Sequence, residues 1–96
     1  MVPVLTTKYK DDQFDILAGK QLRKLRKLSG LTITDFSEHL NLSPKIISNY
    51  ENGHNRLSTA SIIALYESGI LYNYDLAELF QILVIEPYNH MKSKSE

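Results

Sequence analysis

The sequence contains no cysteine among its 96 residues. That excludes disulfides, thiolate metal ligands and a thiol nucleophile together. It has no apolar run approaching the roughly 18 residues that span a bilayer. Met1 to Lys8 lack a basic segment leading into a long apolar one, so no secretory signal is read and the cytoplasm is the expected compartment. There is no glycine-rich phosphate loop and no serine set in a nucleophile elbow. Net charge is also absent: eleven Lys and Arg balance eleven Asp and Glu. A protein that coats nucleic acid by bulk electrostatics is therefore excluded. What remains is a chain of one-domain size with 43% apolar and 23% charged residues, an ordinary globular balance.

The zero total hides an asymmetry. Residues 1–19 carry −1. Residues 20–56 carry +4, from Lys20, Arg23, Lys24, Arg26, Lys27, Lys45 and Arg56 against Asp35, Glu38 and Glu51. Residues 57–91 carry −4, from Glu67, Asp75, Glu78 and Glu86, and the last five residues +1. A basic middle followed by an acidic third fits a nucleic-acid face on one part of the molecule, although Lys20–Lys27 alone would also suit one solvated helix face.

Apolar spacing predicts five short helices and an all-α domain. Residues 1–13 read as an irregular arm, in which Val2, Val4 and Leu5 could form a short strand. The first helix runs from Phe14 to Leu28, with Leu17, Ala18, Leu22, Leu25 and Leu28 on its apolar stripe and Gly30 as its stop. Thr32 caps a second helix that buries Phe36 and Leu40, and Asp35 lies in its first turn. Asn41-Leu42-Ser43 breaks the chain, and Ser43-Pro44 opens a third helix with Ile47 and Tyr50 inward. A fourth helix spans about Ser58–Ser68, and a fifth about Asn73–Leu83. The domain is thus expected over residues 14–83, with 84–96 as a C-terminal tail that Pro87 closes off and that frays from Met91.

Residues 33–52 have a more specific spacing. A helix of about eight residues, a three-residue turn and a helix of about nine make a helix-turn-helix. Steeply crossing helices need a small residue where they touch, and Ser37 is there. Four positions later the turn wants a residue that tolerates the left-handed region, and Asn41 is there. Phe36, Leu40, Leu42, Ile47 and Tyr50 fill the angle between the helices.

With Gly19-Lys20-Gln21-Leu22-Arg23-Lys24-Leu25-Arg26 and Ser29-Gly30-Leu31-Thr32 before it, and Leu42-Ser43-Pro44-Lys45-Ile46-Ile47-Ser48-Asn49-Tyr50-Glu51-Asn52-Gly53 within it, residues 16–80 resemble the Cro/C1-type (XRE) helix-turn-helix transcriptional regulators. The resemblance implies a five-helix phage-repressor-like domain. It also implies a partly buried ion pair between Arg26 and Glu51. Departures are Ile33, where the family usually has a glutamine that touches phosphate, Leu57, where a proline is common, and Asn41 in place of the frequent glycine. Leu57-Ser58 and Leu71-Tyr72-Asn73-Tyr74-Asp75 further resemble small regulators encoded beside enterobacterial fimbrial operons (the MrpJ type).

In such a motif the third helix enters the DNA major groove. Base contacts are expected from Pro44, Lys45, Ser48 and Asn49, with Lys45 suited to guanine and Asn49 to adenine. Ile46 either meets a thymine methyl or packs inward. Phosphate contacts are expected from Thr32, Ser43, Asn52, Asn55 and Arg56. A single domain reads few base pairs, so the expected partner is double-stranded DNA bound by a homodimer on a palindromic operator, acting as a repressor. Phe80, Ile82, Leu83, Val84 and Ile85 are the candidate dimer surface. The apolar run Ile82–Ile85 is either a helix extension or a strand, closing the monomer core or pairing with Val2–Leu5. The alternative function is a protein-binding module such as an antitoxin. No enzyme, cofactor or metal site is expected: His39, His54 and His90 lie far apart in sequence, and Asp11-Asp12 reads as a solvated pair.

Overall fold

The computed structural model describes the backbone of residues 8–95 and the side chains of residues 13–93. All regular structure among these residues is helical: α1 Lys8–Ser29, α2 Ile33–Leu40, α3 Pro44–Glu51, α4 Thr59–Ser68, α5 Leu76–Phe80, a π turn Gln81–Ile85, and α6 Glu86–Ser95. The last three follow without a break, so the expected five-helix all-α architecture holds with a fifth element longer than expected. None of these helices is long and apolar enough to cross a membrane. The strand considered for Val2–Leu5 and the pair Asp11-Asp12 fall outside the described side chains.

Each of the middle helices begins on a side chain that accepts an otherwise unpartnered N–H. Thr32 accepts from Asp35, Ser43 from Ile46 and Ser58 from Ser61, all at 3.0–3.1 Å. Asp75 and Glu78 form a reciprocal capping box at the start of α5. That moves its first residue from the expected Asn73 to Leu76. The turn after α2 is made by Asn41 at φ 62°, the one non-glycine residue with positive φ among those described.

The core gathers one face of every segment. Phe36, Ile47 and Leu79 are fully enclosed, with Leu22, Leu25, Ile62, Leu65 and Leu83 around them. Ser37 is wholly buried where α2 meets its neighbours, and its hydroxyl donates to Thr34 O at 2.7 Å. Gly19 marks the closest approach of α1 to α3: a Cβ there would collide with the carbonyl oxygen of Tyr50 and lie 2.9 Å from that of Glu51.

Three expectations are corrected. Helix α1 begins at Lys8 rather than Phe14. Leu28 is 70% exposed. Successive three-residue steps fall back by about 60° each around a helix, which carries Leu28 off the arc that Leu22 and Leu25 bury. Pro87 does not close the ordered chain. It is buried within α6, which packs along α1 and runs to Ser95. The π turn makes this possible. Within it Glu86 N–H bonds back to Gln81 O. Pro87 has no N–H to offer the Ile82 carbonyl, and Gln21 Nε2 from α1 donates to that oxygen at 3.2 Å. Gln21 also donates to Glu86 Oε1 at 3.1 Å. The run Ile82–Ile85 is therefore helical and not a strand.

Candidate nucleic-acid interface

Helices α2 and α3 pack on each other across the Asn41 turn, and α1 backs α3. Ile47, Tyr50 and Glu51 are buried, which turns the opposite side of α3 outward. Pro44 and Lys45 are exposed there, and Ser48 and Asn49 are half-buried. Ile46 is half-buried and packs against the core, as does Ile33 at the start of α2. Of the two options for Ile46, inward packing is therefore the one observed. A residue that packs down at position 33 leaves the first turn of α2 without an amide side chain.

Around this face lie the other expected contact residues. Thr32 and Ser43 are exposed, and each hydroxyl oxygen is engaged as a helix cap. Their O–H groups remain directed by torsion alone, so each can still donate to an anion. Asn52 and Asn55 are exposed, and Asn52 Nδ2 reaches Ser48 Oγ at 3.4 Å. The backbone closes α3 by His54 N–H to Asn49 O at 2.8 Å and Asn52 N–H to Ser48 O at 3.0 Å.

Arg56 is tethered. Its Nε donates to Asp15 Oδ1 at 2.9 Å and its guanidinium lies 5.3 Å from the Phe14 ring centroid. The expected phosphate contact is thus held by an acidic partner on α1. Nothing in the local sequence around either residue signals this pairing, which joins positions 41 apart.

Arg26 and Glu51 meet as a bidentate pair. Nε donates at 2.7 Å to one carboxylate oxygen and Nη2 at 3.1 Å to the other. Arg26 Nη1 donates to Leu31 O at 3.0 Å, and Arg23 Nε approaches Glu51 at 3.5 Å. The hydrogen bond to Glu51 raises the Arg26 pKa above its ordinary value against the opposing effect of burial. The pair ties the end of α3 to α1 and to the loop before α2, so the orientation of α3 is fixed by charge as well as packing. Tyr50 OH and Ser61 Oγ share a buried hydrogen bond of 2.8 Å that ties α3 to α4. The Arg26–Glu51 pair is the one that the family resemblance implied, whereas the Tyr50–Ser61 link was not legible, because each partner is a common residue and only the fold brings them together.

Among the candidate dimer residues, Leu83 is 1% exposed and belongs to the core of its own chain. It is withdrawn from any surface, in the same buried cluster as Leu79. Phe80, Ile82 and Val84 pack partly against the core, and Ile85 is 44% exposed. Among the described residues, no group of three or more His, Asp or Glu could hold a metal.

A family model described as a helix-turn-helix domain matches residues 19–86. No curated protein and no solved structure matches the chain.

Proposed function

The chain belongs to the helix-turn-helix domain family of DNA-binding regulators, and from that membership we propose that it is a sequence-specific transcription regulator, a cytoplasmic repressor that binds a palindromic operator as a homodimer. One observation carries this reading: α3 is anchored by Ile47, Tyr50 and Glu51, while Lys45, Ser48 and Asn49 remain on its outer side. In the major groove, Lys45 donates to guanine and Asn49 pairs with adenine, while Pro44 and Ser48 make close contact. Thr32, Ser43, Asn52 and Asn55 hold the phosphates on either side, and Arg56 joins them by exchanging its Asp15 partner for a phosphate. Two half-sites about 34 Å apart would engage two copies. The partly exposed Phe80, Ile82, Val84 and Ile85 supply the surface on which the copies meet. The resemblance around Leu57 and Leu71–Asp75 extends the reading to the fimbrial-operon regulators.

The test starts with selection of bound fragments from random DNA, followed by titration of the selected site and a scrambled one. The Lys45→Ala, Asn49→Ala double variant should lose roughly 1–3 kcal/mol of discrimination per lost contact. A double variant that keeps full discrimination overturns the assignment of α3. The acidic last third of the chain also limits non-specific attraction, so a salt slope worth about ten phosphates would contradict the reading.

A further inference from the structure

Away from α2 and α3, the surface carries an assembly of side chains that DNA contact does not use. Leu28 and Tyr72 leave 70% and 85% of their surfaces open to water, and Tyr66 leaves 45%. Exposed aromatic and aliphatic residues grouped in this way mark interaction surfaces more often than isolated ones do. Tyr72 stands between two basins. One, of about 540 Å³, is lined by Tyr66, Glu67, Tyr72, Tyr74, Asp75 and Glu78, together with Leu71 and Asn73. The other, of about 250 Å³, has Leu28, Ile70, Tyr72 and Tyr74 in its lining, with Ser29, Leu71 and Asn73.

Among the residues that line the two basins, the charge has one sign. Residues 57–91 contain four carboxylates and neither Lys nor Arg. Three of the four, Glu67, Asp75 and Glu78, line the larger basin, and no basic residue lines either one. Asp75 and Glu78 each commit one oxygen to the capping box. That fixes their positions without removing their charge. Tyrosine faces attract cations through the ring quadrupole, and carboxylates beside them reinforce the attraction. The same carboxylates repel a phosphate backbone, so a nucleic acid is a poor occupant.

We propose that this face docks a basic segment of a partner protein. An arginine side chain seats on the tyrosines beside Glu67, and a neighbouring apolar side chain seats against Leu28 and Tyr72. Arginine suits the site better than lysine, because its planar guanidinium stacks on an aromatic ring while donating to a carboxylate. The inference is independent of the DNA reading: it uses no residue of α2, α3 or the dimer surface.

The experiment titrates the isotope-labelled full chain with an acetylated, amidated Arg-Leu-Arg tripeptide and with its Glu-Leu-Glu counterpart, following backbone amide resonances. The expected result is saturable shifts confined to residues 66–78 and the end of α1 with the basic peptide. The acidic peptide, Tyr72→Ala and Glu67→Gln should each weaken binding by about fivefold or more. Both side chains are exposed, so the variants should keep the native unfolding temperature, which a melt verifies. Absence of saturable shifts, shifts elsewhere, or equal binding of the two peptides overturns the proposal. So does a change in sedimentation of Tyr72→Ala from dimer to monomer, which would make a second copy the occupant.

Discussion

Replacing Glu51 by glutamine should remove a large share of the stability of this domain. The Glu51 side chain is 1% exposed, and its two oxygens accept from Arg26 at 2.7 and 3.1 Å. Glutamine keeps the volume but turns an NH2 group toward a guanidinium, donor against donor. Arg26, itself 9% exposed, then keeps the Leu31 carbonyl and at most one bond to the amide oxygen, and loses the second acceptor and the opposing charge. Breaking a buried pair from one side costs about 3–5 kcal/mol. The lower end applies here, because Arg26 keeps that carbonyl and some contact with water. A loss of about 3 kcal/mol is a substantial part of the roughly 5–14 kcal/mol expected for a chain of this length. It should lower the melting temperature by about 12–24 °C. Far-ultraviolet circular dichroism melts and urea titrations read both quantities. Arg23→Ala is the internal control: its guanidinium is half-exposed at 3.5 Å from the same carboxylate, so its loss should stay below about 1 kcal/mol. Exchanging both partners, Arg26→Met with Glu51→Leu, should cost less than Glu51→Gln alone. The raised Arg26 pKa adds a sign. Its stabilisation is fully present below the ordinary arginine value and is lost only as pH rises through the higher folded value, so mild alkali should not remove it. A Glu51→Gln cost below about 1 kcal/mol would refute this reasoning, as would a double exchange no better than the single one.

Gly19→Ala should be severely destabilising, by about 3 kcal/mol or more, because the colliding atoms are backbone oxygens of α3 and cannot rotate away. A urea midpoint close to that of the native chain would show that α1 and α3 are not so closely apposed. Asn41→Ala should cost about 1 kcal/mol, and Asn41→Gly should be neutral or stabilising, since φ is 62° there. Equal midpoints for the two variants would refute the turn geometry. Asp15→Asn removes the 2.9 Å partner of Arg56. If Arg56 serves a phosphate, non-specific DNA affinity should rise and the salt slope steepen by about one, as read by fluorescence anisotropy across a salt series.

The helix-turn-helix was legible because its signals are local. Thr32, Ser43 and Asn41 each satisfy a backbone requirement within a few residues of themselves, and the apolar period between them is too short to be misplaced. The Asp75-to-Glu78 spacing carried an equally local signal for the start of α5 that the apolar period had obscured. Pro87 misled for the opposite reason. In a regular helix a proline leaves a carbonyl without a donor and marks an end. Here the donor is Gln21, 61 residues away in sequence, and no local pattern could supply it. Leu28 and Leu83 show the same division. Both read as members of apolar stripes, yet one is 70% exposed and the other 1%, because burial depends on which neighbouring element covers a position.

The sequence by itself determined where the central helices begin and turn, that the domain is all-α, and which residues lie on the outer side of α3. Backbone hydrogen-bond demands and hydrophobic period act over one or two turns of chain, so they can be read in order. Only the tertiary structure decided that Arg56 is held by Asp15, that Leu83 is core, that α6 continues along α1, and that Leu28 comes to lie beside Tyr72. These are meetings of residues far apart in the chain, and packing of whole helices selects among the many that the composition would allow.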